Sequence, residues 1–234
     1  MLKIAKLVVA AGSTFFLFAC GGGGTDSVSS NETFDLSAAY ISLAKTGVTS
    51  NVSVTGSRGC SGDGTVTTSV ASAGATFEGQ QAFSSNTRVN ATLRNCSLTS
   101  ISLLSGEFYN ADYVPIGATD SGNYIVYNEK LSLPTEIRVN DSGVLGSGES
   151  YTNSTKSISI GRVETSYLVK SDTANTAIVS IATRFYNRNN GLDVVRTFEY
   201  VISTDSTLKF KSLVYAVYVN TVGGVPNTLS FIAK

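Results

Sequence analysis

The sequence predicts a mainly β protein: an antiparallel meander, sandwich or open barrel, with one short helix near the N-terminus. Three observations carry this. From residue 48 onward, short runs of alternating apolar and polar residues are broken by Gly, Ser, Asn and Asp. Hydrophobic residues make up 42% of the chain and charged ones only 15%, enough for a core with neutral polar strand faces around it. Helical spacing is clear in one stretch alone, residues 35–45.

The chain opens with Lys3 and Lys6, followed by an apolar run over residues 7–18. That run is too short to span a bilayer as a helix, which needs roughly 20 residues. It ends in Leu17-Phe18-Ala19-Cys20, which resembles the lipobox of Gram-negative bacterial lipoproteins. Leu17 stands at −3, Ala19 at −1, and Cys20 is the residue to be acylated; Phe18 at −2 is bulkier than the residue usual there. The resemblance covers only this leader. It implies a signal peptide over 1–19, cleavage before Cys20, and a diacylglyceryl- and palmitate-bearing cysteine. Gly21 at +2 implies the outer membrane, with the protein facing the periplasm. An ordinary signal peptide would instead leave Cys20 a plain thiol.

Four glycines, Gly21 to Gly24, and a polar stretch after them make residues 20–34 a tether. Such a segment buries too little apolar area to fold, and its reach is roughly 20 Å. Several acyl chains anchor stably where one does not. Without Lys3 and Lys6 the basic count falls from 17 to 15 against 17 acidic residues, a net charge of −2. No basic patch is expected, and so no nucleic-acid partner. Roughly 200 remaining residues suit one sandwich or barrel, or two small β-units.

With Cys20 assigned to lipid, Cys60 and Cys96 remain, and no C-x-x-C redox spacing exists. In an oxidising compartment a structural disulfide between them is the simplest outcome, against two free thiols. It would pin the glycine-rich loop at 57–64 to the end of a strand over 88–97.

Residues 35–45 read as a helix capped by Asp35 and stopped at Gly47, with Leu36, Tyr40, Leu43 and Ala44 on one face. Strands follow over 48–55, 65–69, 75–83, 88–97 and 102–109. Pro115 and nearby turn residues suggest a boundary within 110–123. This gives a β-rich unit over 35–120 and an antiparallel meander over 121–234, as one domain or two.

In the second half Asn190-Gly191 signals a hairpin. A two-residue turn there pairs Phe185 with Arg196, Thr183 with Phe198, Ile181 with Tyr200 and Val179 with Ile202. A turn at Thr173 to Asn175, with Asn175 left-handed, adds Val169, Tyr167 and Val163 to the same apolar face. A turn at Asp205 to Thr207 adds Phe210, Val214 and Ala216. Leu213, Tyr215, Val217 and Val219 then fall on the opposite face. Gly161 marks a bulge, because Ile158 and Ile160 are out of phase with Val163.

The chain contains no His, which removes the commonest general base and metal ligand. No nucleophile elbow, phosphate loop or metal-ligand spacing occurs, so no catalytic residue, metal or cofactor is assigned. Two S-x-x-K matches, Ser42 to Lys45 and Ser206 to Lys209, are expected by chance in so Ser-rich a chain. Glu129, Glu136, Glu149 and Glu164 are scattered singly. Arg196 stands out on the apolar face beside Phe185, as a stacked cation or as an anion or carbohydrate contact at a cavity mouth.

Two functions remain. One is a non-catalytic envelope lipoprotein whose β-domain has a structural role or binds a protein, glycan or hydrophobic ligand. A hydrophobic-ligand carrier would show a continuous cavity lined by residues such as Tyr167, Ile181, Arg196, Tyr200 and Phe210. The alternative is a His-free hydrolase of envelope polymers, which needs two carboxylates roughly 5–10 Å apart in a cleft.

Overall fold

The computed structural model describes residues 31–218 and 226–234. Leu17, Ala19, Cys20 and most of the tether lie outside the described residues, as does Val219.

Helix α1 spans Leu36–Thr46. As expected, the Asp35 carboxylate caps it by accepting from the Ala38 N–H at 2.8 Å, and the chain leaves it at Gly47. Among the described residues thirteen strands follow. The first five are β1 (Val48–Gly56), β2 (Ser61–Thr68), β3 (Ser72–Phe77), β4 (Gln80–Arg94) and β5 (Ser100–Tyr109). Next come β6 (Pro115–Asp120), β7 (Asn123–Tyr127), β8 (Ser142–Tyr151) and β9 (Ser159–Ser171). The last four are β10 (Thr176–Asn187), β11 (Leu192–Ser203), β12 (Leu208–Val217) and β13 (Asn227–Ala233).

Consecutive strands pair antiparallel from β3 to β13, β13 pairs with β1, and β1 with β2. The ring closes where β2 pairs with the second half of β4, from Ser61 opposite Arg94 to Thr68 opposite Thr87. The result is a closed antiparallel barrel of twelve strands, more specific than the sandwich or open barrel expected. β3 and the first part of β4 stand outside the ring as a flap. The expected strand over 75–83 is split there, because Glu78 and Gly79 turn the chain with positive φ. β6 occupies the stretch expected to be a boundary and pairs with β5 and β7, so both halves of the chain contribute to one sheet.

Inward positions are mostly apolar. Leu36, Ala39 and Leu43 of α1 share one core with Val52 and Val54 of β1, Val169, Ala177, Val179, Ile202, Leu213 and Phe231. Burying each such side chain stabilises by roughly 1.5–3 kcal/mol. The helix therefore closes one end of the barrel, where Phe34 also pairs with Ile137 and Ala71 N–H bonds to Ala44. Outward positions carry charges: Lys170 pairs with Glu199 at 2.7 Å and Arg184 with Glu164 at 3.8 Å. Among the described residues no helix is long and apolar enough to cross a membrane.

The flap docks on the outer wall. Phe77 stacks on Phe108 with ring centroids 4.7 Å apart and lies against Tyr124 at 5.2 Å. Gly117 makes room for it, since a Cβ there would come within 2.0 Å of the Phe77 ring. Glu78 at the flap's tip accepts from the Tyr124 hydroxyl at 2.9 Å and pairs with Lys156.

Several expected registers need correction. Thr183 faces Arg196, Ile181 faces Phe198, Val179 faces Tyr200 and Ala177 faces Ile202, each two residues from the expected pairing. The turn is longer than two residues: the Asn187 side chain accepts from the N–H groups of Asn189 and Gly191, and Asn190 is left-handed. Asn175 is not left-handed; Thr173 N–H bonds to the Thr176 carbonyl instead. On β12 a bulge falls where Glu199 faces Ser212 and Tyr200 faces Phe210, which leaves Lys211 unpaired. That extra residue exchanges the faces. Leu208 and Phe210 point inward before it, and Leu213, Tyr215 and Val217 after it, so Val214 and Ala216 face outward. The bulge expected at Gly161 is present: Ser150 faces Gly161 and Tyr151 faces Ser159, leaving Ile160 as the extra residue.

Candidate functional site

Polar chemistry collects in the barrel lumen. β11 brings Arg196 inward between two rings, with its guanidinium 5.6 Å from the Phe198 centroid and 5.7 Å from that of Phe185. β6 brings Asp120 to the same place, and the two form an ion pair with side chains only 13% and 10% exposed. Ser121 donates to the other Asp120 oxygen at 3.0 Å. Tyr215 stands directly opposite Arg196 on β12. Burial pulls the Arg196 value down, but Asp120, Tyr215 and Tyr127 together outweigh that and raise it overall. The Arg196 Nε–H is buried with no partner among the described residues.

The second cluster lies nearer the helix. Glu107 on β5 accepts from the Tyr40 hydroxyl of α1 at 2.9 Å and from Tyr109 at 2.8 Å. Ser85 and Tyr109 share a further hydrogen bond at 3.1 Å. Burial pushes the Glu107 carboxyl up, against the opposing pull of the Tyr109 and Tyr40 hydroxyls and of Arg196. The same burial, reinforced by Glu107, raises Tyr40, Tyr109 and Tyr200.

These groups divide the lumen into two spaces. Between α1 and the ion pair lies a cavity of about 70 Å³, bordered by Tyr40, Glu107, Tyr127, Arg196 and Tyr200. On the far side, at the end of the barrel opposite α1, Asp120 and Tyr215 floor a mouth of about 340 Å³. Its walls include Leu103, Ile160, Phe185, Tyr186, Val194 and Val217. The first space holds a few waters at most, whereas the second reaches the range of small-molecule sites, roughly 300–1,000 Å³. A further hollow of about 520 Å³ lies beside the Cys60–Cys96 bond and has no aromatic ring in its lining.

The five residues expected to face a ligand all point into the lumen, but they do not line one continuous cavity. Ile181, Arg196 and Tyr200 border the 70 Å³ space. Tyr167 packs over Gly143, and Phe210 is buried edge-on to Tyr200 at 6.2 Å. Helix and side chains fill the interior that a hydrophobic-ligand carrier would keep open. Cys60 and Cys96 are joined as expected and pin the 57–64 loop to the end of β4.

Of the carboxylates weighed earlier, Glu129, Glu136 and Glu149 are exposed, and Glu164 pairs with Arg184 on the outer wall. The residues that sequence reasoning missed are Glu107 and Asp120. They sit on one face of neighbouring strands, since Asp120 pairs with Ser105 and Ala118 with Glu107. Such diagonal neighbours have Cα atoms roughly 7–8 Å apart. The signal was phase: Glu107 falls in step with Ile101, Leu103 and Tyr109, an acid at an apolar beat. Neither S-x-x-K match gathers a site: Lys45 lies over the Tyr113 ring at 4.8 Å, and Ser206 is in a turn.

Comparison with protein-family models, characterised proteins and solved structures finds no match to this chain.

Proposed function

We propose that this protein is a non-catalytic cell-envelope lipoprotein, anchored through Cys20 in the outer membrane and facing the periplasm, whose barrel serves as a binding domain. The lipobox resemblance carries the anchor. The observation that carries the binding role is the contrast between the two lumen spaces. The ionisable groups deep inside are engaged with one another, Asp120 with Arg196 and Glu107 with two tyrosines, while the concave surface open to solvent is mostly apolar. Charged outward positions and apolar inward ones reverse the pattern of a membrane-spanning barrel, which favours attachment by lipid over insertion of the strands.

A His-free hydrolase gains one point from the structure, the Glu107 and Asp120 neighbours. Against it, the space beside Glu107 is far too small for a polymer, and Asp120 is held by Arg196. Metabolic labelling with a fatty acid tests the anchor. The native chain should take up label and fractionate with the outer membrane, and Cys20→Ala should abolish both. Label-free native protein, or equal labelling of the variant, overturns the assignment.

A further inference from the structure

We infer that the barrel mouth opposite α1 is a binding pocket for an uncharged, largely apolar ring-bearing small molecule. This deepens the binding role proposed above. The pocket's wall is built around two rings, Phe185 and Tyr215, with the apolar side chains of Leu103, Val194 and Val217 beside them. Strand parity aims these side chains: Phe185 faces Val194 across β10 and β11, and Val194 faces Val217 across β11 and β12.

Charge decides the class of ligand. Arg162, Asp120 and Asp193 border the mouth; Asp120 is neutralised by its ion-pair partner Arg196, so the charges balance, and each is already engaged. Asp193 accepts from the Asn187 amide at 2.8 Å. Arg162 stacks 3.8 Å from the Tyr186 ring centre and donates to Asn190 at 3.2 Å. A charged ligand would lose its hydration and meet no free counter-charge, whereas a neutral ring loses little and gains the aromatic wall. Polar anchoring is nonetheless on offer. Ser150 is 5% exposed, its hydroxyl forms no hydrogen bond with another side chain among the described residues, and it borders the same space. A pocket of apolar walls with one or two placed polar groups is the usual form of a small-molecule site.

The test uses two related dyes, uncharged N-phenyl-1-naphthylamine and 8-anilino-1-naphthalenesulfonate, which carries an added sulfonate. Each is titrated into the full chain in a constant detergent background. Val194→Trp fills the mouth, and Val144→Trp, at an exposed outer-wall position, serves as the control. The neutral dye should bind saturably, at least tenfold more tightly than the sulfonate. Val194→Trp should weaken it at least tenfold, and Val144→Trp should leave it unchanged. If Val194→Trp does not fold, Val217→Asp at the half-open rim should give the same loss. Binding insensitive to both pocket variants, no saturable binding, or equal affinity for the two dyes overturns the inference. Fatty-acid labelling of Cys20 is read separately, so a pocket that fails leaves the anchor standing, and the reverse.

Discussion

Tyr40 on α1 donates to Glu107 on β5 at 2.9 Å, and this bond ties the helix that closes the barrel to the barrel wall. The carboxyl is buried, and its folded value lies above that of an unfolded Glu. The native state therefore holds this proton more tightly, and stability falls as pH rises from the ordinary Glu value through the raised one. Glu107→Gln removes the buried charge. Its melting temperature relative to the unsubstituted protein should improve from pH 4 to pH 8. A difference that stays constant with pH would contradict the assignment. Tyr40→Phe leaves the carboxylate one donor short and should cost roughly 1.5–3 kcal/mol at pH 8.

Arg196 and Asp120 are each held by the other inside the lumen. Removing one partner strands a buried charge, so Asp120→Asn and Arg196→Met should each cost about 3–5 kcal/mol in denaturant unfolding. The double variant Arg196→Met with Asp120→Asn restores neutrality and should be more stable than the sum of the single losses implies. Additive losses would mean that the two groups are not coupled.

Gly117 supports Phe77 of the flap. Gly117→Val would drive Phe77 off the outer wall, because its Cβ would lie 2.0 Å from the ring. The expected result is faster proteolysis within residues 72–84, with a stability loss of roughly 1–3 kcal/mol from overpacking. Unchanged cleavage of the flap would show that Phe77 does not depend on this contact.

Cys60 and Cys96 close a loop with a sequence separation of 36. In the chain-entropy model, replacing both with Ser should cost roughly 3–4 kcal/mol. The native chain should lose about the same stability on reduction, and the doubly substituted chain none. Equal melting with and without reductant would leave the bond without a stabilising role.

Much of the second half was legible because alternation fixes faces before it fixes partners. The β10–β11 register lies two residues from the reading taken literally from Asn190-Gly191, yet Ile181, Arg196 and Tyr200 stay on the inner face, since an even slip preserves the face. The Lys211 bulge could not be read, because one extra residue exchanges Val214 for Leu213 with no change in composition. Closure was hidden for a different reason. The closing strands β2 and β4 meet through Thr, Ser and Asn at most outward positions, and nothing in such residues specifies a partner. Glu107 and Asp120 were in plain view by phase, but they looked like two more acids among many.

The described chain enters at residue 31 beside the barrel end that α1 stoppers, and Phe34 is stitched to Ile137 there. On the proposed anchor, that end is the one held toward the bilayer. The aromatic opening then looks the other way, into the aqueous compartment. Cargo would come from solution or from a facing partner, and lipid from the anchoring leaflet would have to travel around the whole barrel to reach it.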